Sequence, residues 1–259
     1  MIGAIIGDIV GSRFEFNNYR SKDFELFTEE CFFTDDSIMT IAVAKALMES
    51  KEDYSDLGEK AIKCMQELGR PYPDCGFGGS FYHWIYSDNP KPYNSYGNGA
   101  AMRISPVGWV AKDTEQAKRL SKAVTEVSHN HPKGIKGAES VAVAIVLARQ
   151  GKSIDEIKEY VNEHYYKIDF KLDEIRATYK FNETCQDTVP QALQAFFESN
   201  SFEDAIRNAI SIGGDSDTLA AITGSVAEAY YGMPGWMKEK ALGYLDERLL
   251  EILYFHTCF

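Results

Sequence analysis

The chain has 259 residues, of which 44% are hydrophobic, and a formal net charge of −12. That length and apolar share suit a folded protein with a substantial core, and the negative charge excludes a general binder of nucleic-acid backbones. No apolar run reaches membrane-spanning length, and Met1 to Asp8 carries no basic stretch, so neither a span nor a signal peptide is expected and a cytoplasmic protein is. Cys31, Cys64, Cys75, Cys185 and Cys258 are five cysteines without CxxC spacing, which predicts reduced thiols and neither a disulfide framework nor a zinc site.

Taken in chain order, the periodicity is helical. A short apolar start leads into Gly7-Asp8-Ile9-Val10-Gly11, where the two glycines share a helix face and admit a close neighbour. Residues 35–49 are apolar nearly all round and predict a central helix. Residues 55–69, 114–128 and 153–165 read as amphipathic, peripheral helices. The small residues of 135–149 allow close packing, 187–199 and 202–211 form a pair, 217–231 puts Leu219, Ile222, Val226 and Tyr230 on one face, and a last helix spans about 238–253. Gly/Pro/Asn-rich stretches at 70–80, 87–99 and 129–137 read as loops that line a site. There is no alternating strand pattern and no GxGxxG with a βαβ context. The fold class expected is all-α, with residues 1–259 as one domain.

Two acidic clusters carry the chemistry. Thr34-Asp35-Asp36-Ser37 and Gly213-Gly214-Asp215-Ser216-Asp217-Thr218 each put two carboxylates and a Thr hydroxyl just ahead of an apolar run. A plain helix cap explains one such cluster, since Asp, Ser and Thr are favoured N-caps. Two matching clusters offer more oxygens than caps use, and an all-oxygen set suits hard cations such as Mg²⁺ or Mn²⁺. The glycines of Gly97-Asn98-Gly99-Ala100-Ala101-Met102-Arg103 let backbone N–H groups approach a phosphate, or simply make a turn. His129 and His131 form an HxH pair that lacks a third soft ligand nearby. Isoprenoid synthases also place Asp-rich helices around Mg²⁺, but their DDxxD pattern is absent, as Asp35-Asp36 is followed by Ser-Ile-Met.

Five segments in order resemble the ADP-ribosylglycohydrolase family: Gly-Asp-x-x-Gly-Ser-x-x-Glu at 7–15, Thr-Asp-Asp-Ser at 34–37, Gly-Asn-Gly-Ala-Ala-Met-Arg at 97–103, Ser-His at 128–129, and Gly-Gly-Asp-Ser-Asp-Thr at 213–218. The resemblance implies a compact, roughly orthogonal helical bundle with a binuclear Mg²⁺ or Mn²⁺ site. Its activity would be hydrolysis of the bond between ADP-ribose and an acceptor, with ADP-ribosylated protein as partner. By match, Thr34, Asp35, Asp36, Asp215, Asp217 and Thr218 would hold two divalent cations, Asp217 bridging them. Glu15 matches a glutamate on a mobile flap, and Glu15, Asp35 and Asp217 are the catalytic candidates. Gly97, Asn98, Gly99, Ala100 and Met102 match the loop that holds the diphosphate and distal ribose, and His129 a histidine near ADP-ribose. Ser37 and Ala100 stand where the family often has Thr and Gly. A non-catalytic, ADP-ribose-binding or structural relative is the alternative, and the presence of all six matched ligands argues against it. Specificity for the acceptor is expected in loops 70–96, where Tyr72 and Asp74 could face it.

Overall fold

The computed structural model describes residues 1–256; Cys258 lies outside them. The described residues are all-α, with fifteen helices and, as the one β-element, an isolated bridge between Gly97 and Thr184. The long central helices are α1 (Ile2–Ser12), α2 (Asp35–Glu49), α8 (Pro132–Arg149) and α13 (Ser216–Tyr231). Each is buried on most of its circumference, which matches its lack of a polar face. Around them pack the amphipathic helices α3 (Leu57–Gly69), α7 (Thr114–Thr125), α9 (Ile154–His164), α11 (Cys185–Phe197) and α12 (Phe202–Ser211). One connected apolar core runs from Ile5 to Leu253.

The loops expected at 70–80, 87–99 and 129–137 are shorter than the composition suggests. Residues Gly79–Tyr86 form α4, whose Phe81, Trp84 and Ile85 are buried. Residues Gly99–Met102 form α5, and α8 already starts at Pro132. Pro132 reads as a breaker, yet at the first helical position its missing N–H costs nothing, and His131 Nδ1 accepts the Lys133 N–H at 3.0 Å as the cap. Two short helices lack a readable period: α6 (Ser105–Val110) and α10 (Leu172–Ile175). The expected helix 238–253 is broken into α14 (Gly235–Leu242) and α15 (Glu247–His256). The Gly243 N–H turns back to the carbonyls of Glu239 and Lys240, and Asp246 Oδ1 accepts the Leu249 N–H to start α15.

The tightest contact joins the two ends of the chain. Gly3, Gly7 and Gly11 of α1 face α13 so closely that a Cβ on Gly7 would sit 2.0 Å from the Ala220 carbonyl oxygen. A Cβ on Gly11 would sit 2.6 Å from Asp217 Cα, and one on Gly3 2.3 Å from the Gly224 oxygen. This backbone-to-backbone approach sets the residues after Gly11 beside the first turn of α13. Gly7→Ala is therefore expected to destabilise the protein by about 1–3 kcal/mol, because backbone rather than a flexible side chain must yield. Gly58→Ala, whose Cβ would meet nothing nearer than 3.6 Å, should be neutral or slightly stabilising. Urea unfolding of both variants measures the difference, and equal stabilities would refute the close-packing argument.

Candidate metal and ligand site

Asp8 organises the first cluster. Fully buried on α1, it accepts the Thr34 N–H at 3.0 Å, the Thr34 hydroxyl at 2.7 Å, the Ser37 N–H at 3.0 Å and the Ser37 hydroxyl. Its two oxygens thus satisfy the N-terminal donors of α2, where a carboxylate is favoured by the helix dipole. Ser12 adds a second tie, its Oγ accepting the Phe32 N–H at 3.1 Å. Thr34 is the N-cap of α2, its hydroxyl also accepting the Asp36 N–H at 3.2 Å. With α2 held this way, Asp35 and Asp36 face the same cavity as the second cluster.

The second cluster is shaped by Gly213 and Gly214, whose φ values of +69° and +83° are left-handed. Asn18 grips that turn like a strand of backbone: its Oδ1 accepts the Gly214 N–H at 2.8 Å and its Nδ2 donates to the Gly214 carbonyl at 3.0 Å. The same Nδ2 donates to the Glu15 carbonyl at 2.9 Å, so one side chain couples the Glu15 loop to the acidic turn. Arg20 adds donations to the carbonyls of Ile212 at 2.5 Å, Tyr179 at 2.6 Å, and Arg176. Asn98 Nδ2 donates to Asp215 Oδ2 at 2.6 Å, and Thr218 Oγ1 donates to Asp36 Oδ2 at 3.2 Å, linking the first turns of α13 and α2.

The outcome is a concentration of negative charge. Glu15, Asp215 and Asp217 each bring a carboxylate oxygen within 4.8 Å of the others, and Asp35 and Asp36 line the same cavity. Burial first, then neighbouring carboxylates led by Asp217, raises Asp35 and Asp36 well above the usual carboxylate range. Burial followed by Asp215 does the same to Asp217. Burial, with Asp217, Asp8 and Glu183 behind it, pushes Glu15 up to about 8. Asp36 Oδ1 and Asp217 Oδ1 are buried and find no hydrogen-bond donor among the described residues. Orphaned anionic oxygens are costly, and a divalent cation is the partner that an all-oxygen donor set of this kind fits. Thr34 stands apart from the other five matched ligands: it does not line the cavity, and its hydroxyl proton goes to Asp8.

The whole cavity holds about 390 Å³, and beyond its acidic floor it is walled by Phe81, Tyr93 and Tyr96 and by the Gly97–Gly99 turn. Gly97, Asn98, Gly99, Met102 and His129 line it, whereas Ala100 is buried outside its wall. Backbone N–H groups are less available than the glycines suggest. The Gly97 N–H goes to Ser95 Oγ at 3.1 Å, that of Asn98 to the Glu183 carbonyl at 2.7 Å, and those of Ala100, Ala101 and Met102 to the carbonyls of Gly97 and Asn98. The Gly99 N–H has no acceptor among the described residues. A Cβ on Gly99 would lie 3.4 Å from His129 Nε2, so the bare glycine keeps the ring's approach open. His129 and His131 do not act as a pair: His131 caps α8, while His129 turns inward beneath the glycine turn. Tyr72 and Asp74 do not line the cavity; the Tyr72 hydroxyl donates to Asp246 at 2.7 Å. From the 70–96 stretch it is Gly76, Gly78, Gly79, Ser80, Phe81, Tyr93, Ser95 and Tyr96 that reach it.

Several residues at the site escape a reading of motifs. Asn18 and Arg20 follow Glu15 in a polar stretch without period, and Glu183 and Thr184 join the cavity only through the single bridge to Gly97. Arg103 ends the glycine motif but is wholly buried against Ser128 and the Phe81 ring.

Residues 1–253 match the family model described as ADP-ribosylglycohydrolase. ADP-ribosylhydrolase ARH3 of Homo sapiens is 26% identical, the alignment covering 96% of this chain and 90% of that protein. ADP-ribosylarginine hydrolase Tri1 of Pseudomonas putida (strain GB-1) is 25% identical, over 98% of this chain and 76% of its own length. ADP-ribosyl-[dinitrogen reductase] glycohydrolase of Rhodospirillum rubrum is 25% identical, over 80% and 72%. A solved structure titled ADP-ribosylglycohydrolase-related protein complex superposes with a TM-score of 0.67 at 20% identity, covering 93% of this chain and 94% of that one, which is a likeness of fold.

Two measurements test the site without any assay of turnover. Mg²⁺ or Mn²⁺ well above its Kd should raise the melting temperature by about 5 °C or more, and Asp217→Asn should abolish most of that shift. An unchanged melting curve would remove the metal reading. Asp8→Asn should cost about 2 kcal/mol even without metal, since an amide replaces one acceptor oxygen by a donor facing donors; parental stability would refute the anchoring role.

Proposed function

The chain belongs to the ADP-ribosylglycohydrolase family and is a glycosyl hydrolase, and on that basis we propose that its cavity binds an ADP-ribose conjugate and hydrolyses the bond from the ribose to its acceptor. The observation that carries the reading is the pair of orphaned carboxylate oxygens on Asp36 and Asp217, at the floor of a cavity whose other wall is an aromatic and glycine-lined trough. A conjugate with an anionic diphosphate and an extended nucleoside suits such a trough, and a ribose bearing hydroxyls suits an oxygen-rich floor.

Asp35, Asp36, Asp215, Asp217 and Thr218 would hold the cations, Mg²⁺ or Mn²⁺, while Thr34, the N-cap of α2, would serve by fixing Asp36 beside them. Bound divalent cations supply charge that orients ribose hydroxyls and lowers the pKa of a water. The reaction at the anomeric carbon develops positive charge in an oxocarbenium-like transition state, which a floor of carboxylates stabilises. Glu15 is the residue best placed to move a proton: it is half-buried, is not among the matched cation ligands, and is held beside Asp215 and Asp217. Asn98 keeps Asp215 oriented through its 2.6 Å hydrogen bond. Tyr93 and Tyr96 offer aromatic surface for a base, and Gly99 offers the open N–H to a phosphate oxygen.

The acceptor we propose is a side chain of an ADP-ribosylated protein, in line with the names of the arginine- and dinitrogen-reductase-directed relatives. Residues 1–259 act as one unit in this reading, supported by the unbroken core. A cytoplasmic location is consistent with the four described cysteines all being free and with no described helix being long and apolar enough to cross a membrane.

The test is release of ADP-ribose from a panel of modified substrates. EDTA should abolish release and Mg²⁺ or Mn²⁺ restore it. Glu15→Gln should bind ADP-ribose and both ions yet lose roughly 100-fold or more in rate, whereas Asp217→Asn should lose at least one ion by elemental analysis. Gly99→Val should weaken ADP-ribose binding and leave metal uptake intact. Binding without release from any conjugate would instead establish a non-catalytic member.

A further inference from the structure

Arg103 is a fully buried cation that takes no part in the chemistry above. Its Nη2 donates to Ser128 Oγ at 2.8 Å, and that oxygen lies 2.9 Å from His129 Nδ1. These are the partners of the Ser128 hydroxyl among the described residues. A guanidinium can only donate, so Ser128 Oγ accepts from Arg103 and keeps one proton to give. If His129 Nδ1 carried a hydrogen, that serine proton would be buried with no acceptor, at a cost. The serine therefore donates to a bare Nδ1. Burial, and then the charge of Arg103, holds the ring well below the usual histidine range and hence neutral. A neutral ring with a bare Nδ1 carries its hydrogen on Nε2.

Nε2 is the nitrogen that faces the cavity. It lies 3.4 Å from where a Cβ on Gly99 would stand and 3.6 Å from one on Gly97. The ring itself is fixed. Its centroid is 6.0 Å from that of Phe81 and 5.7 Å from that of Tyr93, the His129 N–H donates to the Thr125 carbonyl at 2.9 Å, and the Ser128 carbonyl accepts the Tyr93 N–H at 3.1 Å. The guanidinium lies 5.1 Å over the Phe81 ring centroid, which fixes the far end of the chain of hydrogen bonds.

We infer that Arg103 and Ser128 are positioning residues that lock His129 in its Nε2–H tautomer, so that it presents a permanent donor to an acceptor oxygen of the ligand held at the glycine turn. A hydroxyl or phosphoryl oxygen of the ligand fits that donor; a ligand group that can only donate is rejected there. The identity of the ligand as an ADP-ribose conjugate rests on the function proposed above, whereas the tautomer rests on the hydrogen bonds alone.

Long-range ¹H–¹⁵N correlation spectra of the full chain, labelled at its histidines, read the tautomer directly. The His129 signals are assigned by their loss in His129→Gln. The parent should show a neutral ring at neutral pH with Nε2 protonated and Nδ1 bare. Ser128→Ala should release the ring into a mixture of tautomers and weaken ADP-ribose binding about tenfold by calorimetry, with Mn²⁺ uptake unchanged. Ser128→Thr, which restores the hydroxyl, should restore the parental ring signature. An Nδ1–H or doubly protonated ring in the parent overturns the inference without any variant, and so does a Ser128→Ala spectrum identical to the parent's. Failure of the parent to bind ADP-ribose at all would sink the functional reading instead, leaving the spectra to decide the tautomer.

Discussion

A single buried carboxylate at the start of the chain governs where the acidic site can exist. Asp8 spends both oxygens on the Thr34 and Ser37 donors, so the first turn of α2 is tied to the middle of α1. Without such an acceptor, the N-terminal donors of a buried helix would be unsatisfied. With it, Asp35 and Asp36 are free of capping duty and can face the cavity. Asp8 therefore contributes through position, leaving the exposed chemistry to its neighbours.

The opposing half is fixed by a different device. Glycines along α1 admit the backbone of α13, so its first turn arrives beside Glu15, and Asn18 and Arg20 then clasp the Gly213–Gly214 turn. Two helix N-termini consequently aim at one cluster of carboxylates, and their dipoles offset part of its repulsion. The remaining deficit of positive charge is what a bound cation would offset in the proposed reading. On the far wall the balance is reversed: burial, with Arg103 behind it, keeps the His129 imidazole uncharged, so the two walls differ in charge as well as in shape.

The sequence made the helices legible in two ways: α3, α7, α9 and α12 carry a clear apolar period, while α2, α8 and α13 stand out as long runs apolar on nearly every side. It also exposed the acidic clusters, since carboxylates in doubled, helix-preceding pairs are hard to explain as caps. What it hid were features set by tertiary context. Pro132 looks like an interruption until His131 is seen to cap the helix behind it. Asn18, Arg20 and Glu183 sit in stretches with no period, and their positions depend on contacts far along the chain. Ala100 and Tyr72 illustrate the reverse error, in which membership of a motif or loop suggested a place at the cavity and burial or an alternative hydrogen bond removed it. The six matched ligands look equivalent in sequence, and the geometry separates Thr34 from the rest by the direction of its hydroxyl.

The glycine contact between α1 and α13 also imposes an order on assembly. It joins Ile2–Ser12 to Ser216–Tyr231, so the loop it closes spans most of the described residues. Until α13 packs on it, the glycine face of α1 is unfilled and the carboxylates of the two clusters are not held together. In the proposed reading, the oxygens that would hold a cation are thus brought together only when α13 docks on α1. An ion bound there would report the docked helix pair, since neither cluster alone supplies the whole set of oxygens.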